Sequence, residues 1–188
     1  MNDIVEPRHG QAPSRERVDP PLRTGEAETL VAFLDYQRAT LLMKVDGLDR
    51  DQLGRTLPPS TMTLGGLVKH LTLVEDWWFS VVLLDQPHSA PWDGIDWEAD
   101  PDWEWRTGAT DGPEALLAAY DETVARVRRT VEDLLARDGL DTLSLKQSRR
   151  GNGAFSLRWI LLHMIEEYAR HNGHADLLRE SIDGRVGE

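Results

Sequence analysis

Cysteine is absent from all 188 residues. Disulfides, thiolate metal ligands and a cysteine nucleophile are therefore excluded. No run of about 18 consecutive apolar residues occurs, so no transmembrane helix is expected. Basic residues are in deficit: 21 Lys and Arg stand against 33 Asp and Glu, a net charge of -12. Nucleic acids and anionic membrane surfaces reward basic patches, so neither is an expected partner. The stretch from Met1 to His9 lacks the basic start and apolar run of a signal peptide, and a cytoplasmic location is expected.

The length suits one domain with a sizeable core, and a hydrophobic content of 40% is enough to fill it. Residues 1–24 are rich in Pro, Arg, Asp and Glu without a period, and are expected to form a flexible N-terminal arm that includes His9. The folded domain is expected over 25–188. Leu30, Phe33, Leu34, Leu41, Leu42 and Val45 recur at helical spacing, predicting a first helix over 25–45, with Thr24 as its cap and a stop near Gly47. The connection from Asp49 to Thr61 contains Pro58 and Pro59 and cannot be helical throughout.

Thr63 is the expected cap of a second helix reaching Leu84, with Leu64, Leu67, Leu71, Val74, Trp78 and Val82 as its apolar stripe. Gly65 and Gly66 cost helix propensity there, which predicts a close neighbour. A third helix is predicted from Pro113 to just before Gly139, and a fourth from the Ser156 cap to about Ser181. Between these two, Leu140 to Phe155 is polar, with a turn at 149–153 and a short extended piece around Leu143 and Leu145. No convincing strand is evident. The expected fold class is all-α, a four-helix bundle, an architecture that builds metal sites between facing helices.

Residues 85–112 form a long connection between the second and third helices, in which Trp92, Trp97, Trp103 and Trp105 alternate with acidic residues. The expected role of these tryptophans is to plug the end of the core while the acids stay solvated. Covering the mouth of a pocket is the alternative.

His171 follows Glu167 by four residues, so both lie on one face of the fourth helix. At about 100° per residue, Leu157, Ile160, Leu161, Met164, Tyr168, Ala175 and Leu178 share one broad face; His171 lies about 30° from its centre and Glu167 near its edge. His70 sits on the shoulder of the apolar stripe of the second helix. A carboxylate at a core edge is costly to desolvate unless it is paired or metal-bound. Together the three residues suggest a divalent-metal site with an open coordination position. The competing reading is a hydrogen-bonded core histidine beside an accidental Glu-x-x-x-His pair. His163 and His174 are alternative ligands, although His163, Glu167 and His171 together span roughly 12 Å of helix, too far for one ion. His174 can also orient a ligand from behind, and His88, after Pro87, carries little functional weight.

Two segments carry a family resemblance. One runs from Thr63 through Gly65, Gly66 and His70 to Leu71; the other runs from Leu157 through Glu167, His171 and His174 to Asp176. Together they resemble the DinB-like superfamily of metal-binding four-helix bundles, especially its DUF664 branch, over most of residues 25–182. The resemblance implies a bundle with a long second connection, often a homodimer, and a divalent ion, commonly zinc or nickel. It implies His70, Glu167 and His171 as the ligands. Glu and His occupy the last-helix pair in the similar mycothiol-dependent maleylpyruvate isomerases, while His174 falls where many members have glutamine. The isomerases carry an extra C-terminal domain. This chain stops seven residues after Ser181, so that domain and isomerase activity are not expected.

Several relatives act on low-molecular-weight thiols, which makes a metal-dependent thiol S-transferase with a small-molecule substrate the leading expectation. His174 and Arg158 are candidate helpers. The alternatives are a metal-dependent hydrolase, with Glu75 or Glu166 as base, and a non-catalytic module that binds a small molecule or a protein.

Overall fold

The computed structural model describes residues 17–187. Four long helical stretches form a bundle: α1 (Glu26–Val45), α3 (Leu64–Asp76), α5 (Pro113–Arg137) and α6 (Leu157–Asp183). α1 packs chiefly against α6, and α3 against α5 and α6. One continuous core contains Leu34, Leu41, Leu67, Leu71, Val127, Ile160, Leu161 and Met164 among its buried members. No helix among the described residues is long and apolar enough to cross a membrane.

Local chemistry explains the ends of these elements. The side chain of Thr63 accepts a hydrogen bond from Gly66 N (3.0 Å), and that of Ser156 accepts one from Trp159 N (3.2 Å), so α3 and α6 begin where a capping hydroxyl satisfies a free N–H. Pro113 occupies the first turn of α5, where its missing N–H costs nothing. α6 closes at Gly184, which adopts φ 79°. At α1 the cap is Gly25, with no side-chain bond; Thr24 instead hydrogen-bonds Glu28. Arg179 donates to the carbonyls of Lys44 and Asp46 (3.0 and 2.8 Å) and so ties the end of α1 to α6.

Several expectations need correction. Phe33 is 44% exposed. α1 buries Arg38, Thr40 and Lys44 beside Leu34, Leu41 and Val45, so its packed face holds polar side chains that the apolar spacing did not include. The connection after α1 contains a helical turn, α2 (Arg50–Leu53), closed by a reciprocal capping box between Asp49 and Gln52. α3 does not stay α-helical to Leu84: Trp77–Val82 is a π-helical segment, in which Leu83 N donates to Trp78 O. The polar stretch before α6 holds an antiparallel hairpin: the expected extended piece is β1 (Leu143–Gln147), and past the expected turn it pairs with β2 (Ala154–Ser156), a strand pairing that was not expected. Leu143 and Leu145 alternate with Ser144 and Lys146, but the leucines are exposed and the inward residue is Ser144, which accepts from Phe155 N. The fold remains predominantly helical.

The expected arm over 1–24 lies outside the described residues as far as residue 16, and His9 with it. From residue 17 the chain is non-helical up to Gly25, and Arg17 places its guanidinium 4.5 Å from the Tyr36 ring centre.

The Trp-rich connection is not structureless. It contains a 3-10 turn at Trp92–Gly94 and a short helix, α4 (Trp103–Gly108). α4 lies directly on the first turn of α3. A Cβ placed on Gly65 would sit 2.2 Å from Gly108 O, and one on Gly108 would sit 2.8 Å from Gly66 Cα. Glycines at these positions allow two backbones to meet, which is the close neighbour the Gly65-Gly66 pair predicted.

Inside the core, Arg38 of α1 clamps Glu75 of α3: Nε and Nη2 each donate across 2.7 Å. Tyr168 of α6 donates to Glu75 Oε1 (2.8 Å), and Tyr120 of α5 lies 2.9 Å from the Tyr168 hydroxyl. Because Tyr168 spends its proton on Glu75, Tyr120 is the donor to Tyr168. Burial, followed by the charge of Glu75, holds both phenols above their ordinary value, so both remain protonated donors. Burial opposes the charge on Arg38, yet Glu75 holds its guanidinium well above the ordinary value.

Two predictions follow from this packing. Glu75→Gln leaves Arg38 without its counter-charge and should lower stability by about 3–5 kcal/mol in urea denaturation; a loss below about 1 kcal/mol would show that the pair is dispensable. Gly65→Ala should destabilise by at least about 1–3 kcal/mol, because α4 must move away. An unchanged melting temperature would contradict that packing.

Candidate metal centre

α3 and α6 bring His70, Glu167 and His171 together. Each offers one donor atom, and these atoms all lie within 4.8 Å of one another. Glu167 Oε1 is 3.3 Å from His171 Nε2 and 3.6 Å from His70 Nε2. The imidazole centres are 5.1 Å apart and inclined at 67°. Ligands held at about 2.0–2.2 Å around a tetrahedral ion are separated from each other by roughly 3.3–3.6 Å. The two contacts of Glu167 have that spacing and the imidazole donors lie within 4.8 Å of each other, so the three could hold one divalent cation.

Both imidazoles are braced from behind. The other ring nitrogen of His70, Nδ1, lies 3.3 Å from Glu104 Oε1, and Nδ1 of His171 lies 3.4 Å from Nδ1 of His174. Trp105 stacks on His70 at 4.4 Å and 22°. A histidine that presents Nε2 to a cation while Nδ1 is held by a carboxylate has a defined tautomer and ring orientation.

The charges also favour a cation. Two carboxylates, Glu104 and Glu167, converge on two imidazoles. Burial disfavours a charged His70, but its hydrogen bonds to Glu104 and Glu167 outweigh this and raise it above the ordinary histidine value. Hydrogen bonds to His171 and then to His70 hold Glu167 far below the usual carboxylate range. Glu104 is buried, and its Oε2 makes no hydrogen bond among the described residues. Such a group attracts a proton or a metal ion to balance it.

Glu104 was not anticipated. It sits among residues expected to be solvated, between Trp103 and Trp105, and nothing in the spacing links it to His70, 34 residues away. The only available signal was the Gly65-Gly66 pair, which announced a close neighbour without identifying it.

The remaining candidates separate clearly. His163 is outside the donor group; it stacks on Trp159 (5.1 Å, 15°) and approaches Glu166 at 3.6 Å. His174 stands behind His171 and outside the donor group. Arg158 binds Glu26 and Asp141, about 20 Å of helical rise from His171. Glu75 is fully buried and clamped by Arg38, and Glu166 pairs on the surface with Arg170, so neither is placed as a base.

A cavity of about 410 Å³ opens beside Glu167, walled by Trp77, Trp78, Trp97, His88 and His163. The tryptophans of the long connection therefore divide their roles. Trp92 is buried, 5.8 Å from Trp103 in ring-centre distance, and plugs the fold as expected. Trp97 lines the cavity and Trp105 covers His70, as the pocket-mouth alternative required.

Residues 29–184 match the family model described as mycothiol-S-transferase. No curated protein matches the chain.

Glu104→Ala removes the brace behind His70. It should weaken affinity for a divalent ion by about 10–100-fold, measured by chelator competition. Unchanged affinity would show that Glu104 does not orient His70.

Proposed function

Because the chain belongs to the mycothiol-S-transferase family, we propose that it is a divalent-metal-dependent enzyme that transfers a low-molecular-weight thiol, with His70, Glu167 and His171 as the protein ligands. The observation that carries this reading is the convergence of three donor atoms within 4.8 Å, two of them on imidazoles braced from behind. Three protein ligands leave a position for an exogenous group, which distinguishes a catalytic site from a closed structural one. When bound, the ion supplies positive charge that lowers the pKa of a thiol coordinated to it. Mixed imidazole and carboxylate donors suit several first-row ions, and the family resemblance favours zinc or nickel among them.

The chain's own residues supply the rest. Glu167 offsets part of the cation's charge, and Glu104 and His174 fix the two imidazoles. Trp105 shields the His70 side from water, and the tryptophan-walled cavity beside Glu167 admits the substrate. The hydrolase alternative needs a base beside an attacking water. Neither Glu75 nor Glu166, the bases the sequence offered, is placed for that role, and the family match favours thiol transfer.

The parent protein should carry about one divalent ion per chain by mass spectrometry, and His70→Ala and Glu167→Ala should lose it while keeping the helical circular-dichroism signal. Cobalt-loaded protein titrated with mycothiol should develop a sulfur-to-metal charge-transfer band that the metal-free protein lacks. Thiol binding that is equal with and without metal would overturn the proposal.

A further inference from the structure

The cavity wall that includes Glu167 also carries His88, a polar side chain that the metal centre does not use, and behind it lies a buried carboxylate. Asp76, the last residue of α3, is completely buried. Its Oδ2 accepts from His88 Nδ1 (2.8 Å) and from Ser89 N (3.2 Å), and its Oδ1 accepts from Arg126 Nη2 (2.9 Å). Burial works against the charge of Asp76, but the hydrogen bonds from Ser89 and His88 outweigh it and hold the carboxyl below its ordinary value. Asp76 is therefore an ionised acceptor.

An acceptor-only carboxylate settles the tautomer of His88. Nδ1 must carry the hydrogen, so Nε2 of the neutral ring bears the free lone pair. The ring lies 5.5 Å from Trp77, inclined at 31°, and its side chain retains 19% exposure within the cavity that Glu167 also lines. A buried carboxylate behind Nδ1, on a side chain that still lines the cavity, is the arrangement that makes histidine a proton acceptor at Nε2, because the carboxylate stabilises the imidazolium that forms.

The geometry points to His88, oriented by Asp76, as the general base that takes the proton from the substrate thiol in this cavity. This rests on the thiol-transfer reading above. The thiol S–H bond breaks and its proton moves to His88 Nε2. The sulfur electron pair forms a bond to an electrophilic carbon of the acceptor, and the bond from that carbon to its leaving group breaks, the leaving group keeping the pair. The imidazolium then returns its proton to the leaving group or to water. The sum is thiol plus electrophile giving thioether plus protonated leaving group, with no oxidant or reductant. His88 is the catalytic residue here and Asp76 the positioning one.

The competing role for this pair is to fasten the long connection to α3, and one substitution separates the two. The amide N–H of an asparagine at 88 can still donate to Asp76 but cannot accept a proton. The experiment measures turnover of mycothiol with alkyl halide electrophiles, monochlorobimane first, by metal-loaded parent, His88→Asn and His88→Ala, together with metal content and melting temperature. His88→Asn should lose at least about 100-fold in kcat, with KM for the thiol, metal content and melting temperature retained. His88→Ala should recover activity on addition of imidazole. Parent-like kcat in His88→Asn would overturn the base role and leave the thiol-transfer reading standing. So would a loss that follows a fall in melting temperature and does not respond to imidazole. No turnover by metal-loaded parent protein with any of these electrophiles would overturn both readings.

Discussion

The fold depends on one buried ion pair. Arg38 and Glu75 meet in the middle of an apolar core, with side chains 4% and 0% exposed. Two charges removed from water are tolerated only when every donor and acceptor is matched. Here Glu75 receives two hydrogen bonds from Arg38 and one from Tyr168, which Tyr120 supports in turn. These residues come from α1, α3, α6 and α5, so all four long helices join at one node. Apolar contacts among leucines tolerate sliding and rotation, whereas a paired guanidinium and carboxylate fix how each helix is turned.

That constraint reaches the candidate metal site. Tyr168 is the neighbour of Glu167 on α6 and lies three residues before His171; Glu75 lies five residues after His70 on α3. Once Tyr168 and Glu75 are hydrogen-bonded, α3 and α6 share a fixed rotation and height, which sets His70 opposite Glu167 and His171. The node is at once a stability element and the frame on which the site is built.

The long connection completes the site from outside the bundle. Its own tryptophans give it a small core, with Trp103 against Trp92 and Trp97, and Lys69 of α3 lies 4.1 Å from the Trp103 ring centre. α4 then rests on the glycine pair of α3 and delivers Glu104 and Trp105 to His70. Further along α3, Asp76 gathers His88 and Ser89 from the same connection. The acidic character of this segment is thus only partly a solvated surface: Glu104 faces inward, and its charge is part of what makes the centre attractive to a cation.

The sequence by itself determined the four long helices and the pairing of Glu167 with His171. Helical periodicity, the hydroxyl caps at Thr63 and Ser156 and the glycine stops are local signals, and an i, i+4 pair shares a face whatever surrounds it. The reach of His70 to that pair was suggested by family resemblance, while its distance of 3.6 Å from Glu167 is a product of bundle packing. Only the tertiary structure decided the placement of Glu104, the burial of Arg38 with Glu75, the pairing of Asp76 with His88 and the cavity between the tryptophans. Each joins residues far apart in the chain, and none leaves a periodic trace. The hairpin was legible only as a turn at 149–153 and an extended piece at Leu143 and Leu145; its pairing with Ala154–Ser156 was not, because its leucines face outward and the strands are held by backbone bonds and one inward serine. Local sequence chemistry sets what each segment becomes; long-range packing sets which polar groups must face one another once water is gone.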